Sequence, residues 1–510
     1  MLKYAALILL FANLLGLQAQ STAFIDANNI KAGFGASGAL FEGGLVAPKT
    51  SLLKSISAAR FWIAGKNGTT LHLSAQAAGN SLPAFWPGPL DTAGSPADTA
   101  LWDTIITITA AQVAAHKQNW NKQGYTMPDA IKHWPGSNST PGFKKITAPF
   151  FDFNENNFYD PEEGEYPYIK GDQAVYFICN DKANTHIGLP LGVEVHGMAF
   201  IFSNTAGLES TVFLELGFIN RSANNYTDVY AGIYTDFALG NVNDDYAGTF
   251  PAKNAFYVYN ATASDTGTEG YGANPPTQAV VFLNRKLDFS IQMDPSANSG
   301  SDTNRGLPVL PEEYYTFLQG KWRDGTPVTE GINGYKTGGN PVSHIFAGDP
   351  CNGDTGWVEA ASSLPPGRRI MLGSAGPMTL NSQSYIKLDV AFIWSRDAAT
   401  AKGSICKLLS DIDEVKAFYN KEISSSPGVK DKHWFALYPN PAKETVYISS
   451  YWPLPADARL TVTDLQGRKV IDLPAASTSE ISVANLQSGV YFITLASGTS
   501  LSVQKVVVQR

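Results

Sequence analysis

From Ser21 to about Ser395, short apolar segments alternate with clusters of Gly, Pro, Asn and Asp. The clearest are "ARFWIAG" (59–65), "TLHLSAQ" (70–76), "AVYFICN" (174–180) and "GVEVHGMAFIF" (192–202), then "TVFLELGFINRS" (211–222), "NAFYVYNA" (254–261), "QAVVFLN" (278–284) and "YIKLDVAFIWS" (385–395). Many alternate apolar and polar positions with period two, as half-buried strands do. Runs such as "VYFIC" have no polar face and suit strands covered on both sides. Helical signals are few. "ITAAQVAAHKQNW" (108–120) follows a Thr, "PEEYYTFLQG" (311–320) opens on Pro and two acids and closes on Gly, and "SICKLLSDIDEVKAFYN" (404–420) starts with Ser404 as its cap. The pattern predicts an all-β fold, a large multi-stranded β-sandwich body with few short helices. A β-propeller is the alternative, weakened by the lack of a blade-length repeat.

Beyond residue 420 the pattern changes. "KEISSSPGVKDK" (421–432) is polar, Ser-rich and carries Pro-Gly, so 421–433 reads as a linker between a body (21–420) and a terminal unit (434–510). In that unit "FALYPNPA", "TVYISS", "ARLTVTDLQGRKVIDL", "EISVANLQSGVYFITLAS" and "SLSVQKVVVQR" supply six or seven short strands. They suit a small Ig-like β-sandwich, with Gly467 taking a hairpin turn. At the other end, Lys3 precedes an apolar run from Tyr4 to Leu17, interrupted only by Asn13 and Gly16. Residues 1–20 therefore read as a secretory signal peptide, too short for a stable membrane anchor.

Composition agrees with a folded β protein: 16% charged residues and 46 Gly in 510 residues. The net charge of -8 and the lack of a basic run argue against nucleic acid as a partner. Three cysteines, Cys179, Cys351 and Cys406, allow at most one disulfide and match no zinc spacing; the expectation is that all three are small buried hydrophobes.

The terminal unit carries Tyr438-Pro-Asn-Pro441, then "LTVTDLQGRKV" (460–470), "LQSGVYFITLASG" (486–498) and "VQKVVVQ" (503–509). In this order they resemble the type IX secretion sorting domain, type A. The resemblance implies export across both membranes of a Gram-negative-type envelope, to the cell surface or beyond. It also implies a translocon and a sortase as partners, and lipopolysaccharide as an attachment point after sorting. Stretches of the body, among them "AFWPGPLD" (84–91), "DFNENNFYDPEEGEYPYIKGDQAVYF" (152–177), "YTDFALGNVNDDYAG" (234–248), "GKWRDGTPVT" (320–329), "FAGDP" (346–350) and "PPGRRIMLGSAGPMTL" (365–380), resemble a group of large uncharacterised type-IX-exported surface proteins. That likeness implies a location and an architecture but no reaction. The chain departs from the group at Thr235-Asp236-Phe237, where members often read Asp-Pro-Asp, and at Gly367-Arg368-Arg369, where they often read Gly-Asp-Arg-Arg.

The most concentrated chemistry is "DFNENNFYDPEEGE" (152–165), with six carboxylates, three asparagines and no positive charge. Numbered from Asp152, positions 1, 3, 5, 7, 9 and 12 are Asp152, Asn154, Asn156, Phe158, Asp160 and Glu163. This is the oxygen-ligand order of an EF-hand-type loop, with Phe158 offering only its backbone carbonyl. Position 6, usually Gly, is Asn157, the next most tolerant residue for a left-handed turn. Hard oxygens suit Ca²⁺ over zinc or copper. The bland reading is a solvated acidic turn.

A second cluster, Asp236, Asn241, Asn243, Asp244 and Asp245, reads as a turn, as charge pairing with Arg368 and Arg369, as a second ion site, or as a pair of catalytic acids. Glu194 and His196 share one face of a strand, with His186 ten residues earlier; the expected reading is a part-buried histidine bonded to a neighbour. No Gly-x-Ser-x-Gly elbow is present, and "GFGASGA" (33–39) reads as a β-turn. Trp62, Trp86, Trp102, Trp120, Trp134, Trp322 and Trp357 sit near loops; most are expected to anchor the core, the alternative being a sugar-stacking surface. The expected function is an exported structural or adhesive protein with a calcium-braced loop. The alternatives are a secreted carbohydrate-active enzyme using Asp236, Asp244 and Asp245, or a glycan-binding module.

Overall fold

The computed structural model describes residues 22–78, 83–154, 156–182, 187–203, 205, 207–298, 303–362, 364–397, 399, 403–423, 435–450, 458–475, 478, 480–497 and 500–510. The predicted signal peptide, most of the predicted linker, and His186 lie outside these residues.

Among the described residues, β-branched and aromatic segments of the body form two large antiparallel sheets. The first runs Thr22–Ile25, Lys31–Gly35, Leu40–Val46, Lys54–Asn67, Tyr226–Phe237, Ile370–Leu380, Phe289–Met293, with Thr70–Ser74 also paired to Lys54–Asn67. The second runs Asp245–Phe250, Ala255–Asn260, Thr277–Phe282, Tyr385–Ser395, Thr211–Asn220, Val193–Ile201, Gln173–Asn180, Trp86–Pro87, with Ile106–Thr109 on the far half of Gln173–Asn180. Between them lies one core, in which Val175, Phe177, Leu214, Leu216, Phe218 and Phe392 of the second sheet meet Phe34, Ile56, Phe61, Ile63 and Ile233 of the first. The Phe61 ring, for instance, lies 5.7 Å from Phe218 and 6.3 Å from Phe177.

The second sheet is covered on its other face as well. Tyr176, Ile178, Phe200, Phe213 and Ile393 pack there with Leu408, Ile412 and Val415 of the helix Gly403–Phe418. That explains why Gln173–Asn180 and Val193–Ile201 are buried at every position. Alternate residues feed two cores, so no polar face is needed. On the outer side of the first sheet, Trp62 stacks on Tyr234 and tilts against Tyr314 of the helix Pro311–Leu318.

Three local expectations are refined. The helix Ala110–Asn119 is capped by Thr109, whose hydroxyl accepts from the Gln112 N–H while Gln112 bonds back to the Thr109 N–H. Ser404 is inside the last helix, which begins at Gly403; its hydroxyl donates to the Pro275 carbonyl and accepts from the Asp397 N–H instead of capping. That helix runs on as a π turn, Tyr419–Ile423, into the first residues assigned to the linker. The cysteine expectation is corrected: Cys351 and Cys406 form a disulfide, with their Cα atoms 5.3 Å apart, and only Cys179 is a free buried thiol. The chain topology brings a loop against the last helix, a proximity that cysteine spacing cannot show.

Among the described residues, the terminal unit has seven strands in two sheets. One contains Phe435–Tyr438, Thr445–Ser450 and Glu480–Ser482; the other contains Lys469–Pro474, Arg459–Asp464, Gly489–Ser497 and Ser500–Val508. They enclose their own core around Leu437, Val446, Leu460, Val462, Ile481 and Ile493. Gly467 takes the hairpin turn at φ +76°, and the Asp464 side chain accepts from the Gln466 and Arg468 N–H groups. No described helix is long and apolar enough to cross a membrane.

Candidate functional site

The acidic loop connects two short strands, Phe150–Phe151 and Tyr166–Pro167, whose pairing brings its ends together. Within it the chain winds around the first aspartate. Asp152 accepts from the N–H of Asn156 (3.2 Å) and of Asn157 (2.9 Å) on its two oxygens, and the Asn154 side-chain oxygen also accepts from the Asn156 N–H (3.0 Å). Asn157 takes the left-handed conformation at φ +64° that the register assigns to position 6, and it is buried. The amide of Asn154 donates to Glu163 (2.8 Å) and that of Asn156 to Asp160 (2.7 Å). The side chains at positions 1, 3, 5, 9 and 12 are thereby linked. Phe158 contributes main chain, and its ring lies under the Lys145 ammonium.

Glu165, which sequence reasoning passed over, anchors the loop from inside. It is buried, accepts from the N–H groups of Phe153 (3.0 Å) and Asp160 (2.8 Å), and burial, aided by the nearby Asp152 carboxylate, pushes its pKa up to about 7. Its backbone carbonyl is 3.0 Å from Nε2 of the buried His116, which ties the loop to the helix Ala110–Asn119. Among the described residues, no lysine or arginine forms an ion pair with Asp152, Asp160, Glu162, Glu163 or Glu165.

The second acidic cluster divides. Asp236, buried at the end of its strand, is held by Arg368 through two side-chain bonds, one of 2.9 Å from Nε. Arg369 pairs with buried Glu359 at 2.9 Å. Asp245 is fully enclosed at the start of Asp245–Phe250, and Asp244 sits half-buried beside it. Asp236 is thus charge-paired and Asp245 closed to solvent, so neither offers a free carboxylate to a bound substrate. Among the described residues, no group of three or more His, Cys, Asp and Glu side chains is gathered tightly enough to hold a metal by itself.

Glu194 and His196 belong to a buried polar chain. His196 Nε2 is 2.7 Å from Glu194, whose same oxygen takes Arg221 at 2.6 Å, while its other oxygen accepts the Leu90 N–H at 2.7 Å. Burial opposes the charge on Glu194, but Arg221 and His196 outweigh it and hold the carboxyl well below its usual range. His196 Nδ1 lies 2.5 Å from the Tyr176 hydroxyl, which also reaches the Thr147 carbonyl at 3.0 Å. Tyr176 has one proton for these two acceptors, so either Nδ1 receives it or His196 is an imidazolium.

Above this chain lies a cavity of about 160 Å³, lined by Trp102, Thr104, His133, Trp134, Tyr176 and Ile178 among others. It opens where Trp86–Pro87 and Ile106–Thr109 pair with different halves of Gln173–Asn180. Its size is close to the roughly 150 Å³ cavity that admits a benzene ring. Of the seven tryptophans singled out in the sequence, Trp62, Trp134 and Trp322 are buried, Trp86, Trp102 and Trp357 half-buried, and Trp120 exposed. Most therefore anchor packing, and two of them line the cavity.

Comparison with curated proteins finds no match. Among solved structures, a polysaccharide lyase is similar at 10% sequence identity with a TM-score of 0.20, covering 66% of this chain and 39% of its own. The chain thus spans about two fifths of the lyase's length, and the overlap is too slight to bear on activity. Residues 436–509 match the secretion system C-terminal sorting domain. The chain is therefore type IX secretion cargo, exported to the cell surface or secreted, and its terminal β-sandwich is the part that meets the secretion machinery.

Proposed function

We propose that the exported protein is a structural or adhesive component of the cell surface whose body is braced by Ca²⁺ at Asp152, Asn154, Asn156, the Phe158 carbonyl, Asp160 and Glu163. The observation that carries this reading is the winding of the loop: a left-handed Asn157 at position 6 and an Asp152 that gathers the N–H groups of positions 5 and 6. A dication there would supply the positive charge that Asp152, Asp160, Glu162, Glu163 and Glu165 lack, and extracellular calcium modules work at millimolar ion levels. The body resemblance to exported surface proteins points the same way, and on that reading the translocon and sortase receive the terminal domain and lipopolysaccharide receives the sorted product. The calcium test is thermal unfolding of the mature protein. EDTA should lower the melting temperature, and Asp152→Ala should melt near the EDTA value with or without calcium. Identical wild-type curves with and without EDTA would remove the brace.

A second reading, a glycan-binding module, is favoured by the Trp102–Trp134 cavity, which has room for one ring between aromatic walls. A glycan array showing binding that Trp102→Ala abolishes would promote it over an adhesive role without sugar. Hydrolysis or elimination on a polysaccharide panel would instead favour the enzyme alternative.

A further inference from the structure

The cavity beside Trp102 sits at a gap in a strand ladder. Trp86–Pro87 pairs with Asn180 and Cys179, and Ile106–Thr109 pairs with Gln173 to Tyr176. Phe177 and Ile178 are left without a ladder partner on that edge, and the Ile178 carbonyl takes the Gly88 N–H at 2.8 Å. Gly88, at φ +103°, lets Trp102 close in, since a Cβ there would stand 3.0 Å from the indole.

The lining changes from mouth to floor. Leu101, Thr104 and His133 are exposed, whereas Trp134, Tyr176 and Ile178 are buried. None of the lining side chains is Asp, Glu, Lys or Arg, so an acidic or amino sugar would enter without a counter-charge. The polar side-chain atoms of the floor are already engaged. Trp134 Nε1 donates to the Pro149 carbonyl at 2.9 Å, and the Tyr176 hydroxyl serves the Thr147 carbonyl (3.0 Å) and His196 (2.5 Å). The Trp134 and Tyr176 rings, 5.4 Å apart, therefore offer the cavity their carbon faces. The mouth differs. His133 Nδ1 donates to the Asp129 carbonyl at 3.2 Å, which makes Nε2 of the neutral ring an acceptor, and Thr104 adds a hydroxyl.

A ring seated here has to be apolar at its inner end and hydroxylated at its outer end. A hydroxyl driven to the floor leaves water and finds no partner, while a methyl group is stabilised by burial. A 6-deoxyhexose, with a methyl where other hexoses carry a hydroxymethyl group, has that polarity, and its C–H face can lie against an indole.

We propose that the cavity receives a neutral 6-deoxyhexose, its C6 methyl on the floor of Trp134, Tyr176 and Ile178 and its hydroxyls at Thr104 and His133. The proposal rests on the glycan-binding reading and names the sugar class for that site. The mature full-length protein is titrated by saturation-transfer NMR with two pairs of methyl glycosides: L-fucoside with L-galactoside, and L-rhamnoside with L-mannoside. The members of a pair differ only in the hydroxyl on C6. In at least one pair the deoxy sugar should bind roughly ten- to a hundredfold more tightly, with the strongest saturation on its C6 methyl protons. Trp102→Ala should abolish this binding. Thr104→Val, at an exposed position, should weaken it several-fold and serves if Trp102→Ala does not fold. Equal affinity within both pairs, still lost in Trp102→Ala, overturns the deoxy preference and leaves the glycan reading standing. Binding that Trp102→Ala and Thr104→Val both leave intact places the sugar elsewhere and overturns the proposal. Binding of none of the four sugars overturns it too, and a blank glycan array would then remove the glycan reading as well.

Discussion

His344 shows what enclosure does to one titratable side chain. Burial, reinforced by the Lys286 ammonium and opposed by Asp288, lowers its pKa to about 4. Its Nδ1 lies 3.3 Å from the Ser290 hydroxyl. A histidine depressed in the fold stays neutral there while the unfolded chain takes up a proton. Its stabilising effect is therefore complete above about pH 6.5 and is lost as pH falls toward 4. Melting temperatures followed from pH 7 to 4 should decline in wild type, and His344→Gln should flatten that part of the decline. An unchanged slope would show that another group governs it. At this scale the sequence was most legible where the pattern is local. The register from Asp152 to Glu163 needs only spacing, and the left-handed Asn157 agrees with it. Glu165 went unseen because its importance depends on enclosure and on what the topology sets beside it.

At the scale of elements, the disulfide joins a loop to the helix that covers the second sheet. Cys351 and Cys406 are 55 residues apart in sequence, and closing such a loop restricts the unfolded chain by about 4 kcal/mol in the chain-entropy account. Reductant should lower the melting temperature of wild type and leave Cys351→Ser unaffected. Strands were legible in proportion to their apolar content. Those of the second sheet stand out in the sequence, whereas Ile370–Leu380 does not, because it carries Gly373, Ser374, Ala375, Gly376 and Pro377. Those small residues reflect close packing. A Cβ on Gly373 would stand 2.4 Å from the Phe256 ring of the facing sheet. Gly373→Val should therefore destabilise by overpacking, by about 1–3 kcal/mol in chemical denaturation.

For the molecule as a whole, the terminal β-sandwich has a core of its own, built from Phe435 to Val508. Removing residues 434–510 should leave the melting transition of the body unchanged while the protein accumulates inside the outer membrane; surface proteolysis and cell fractionation report both. The same architecture sets a schedule for folding. Tyr385–Ser395 lies in the middle of the second sheet, between Thr211–Asn220 and Thr277–Phe282, and the helix that roofs it starts only at Gly403. The central strand pairs across gaps of well over a hundred residues, as in Thr211 with Ile393. Closing such distant contacts is slow. A nascent body therefore cannot complete its sheet until nearly its last residues have been made.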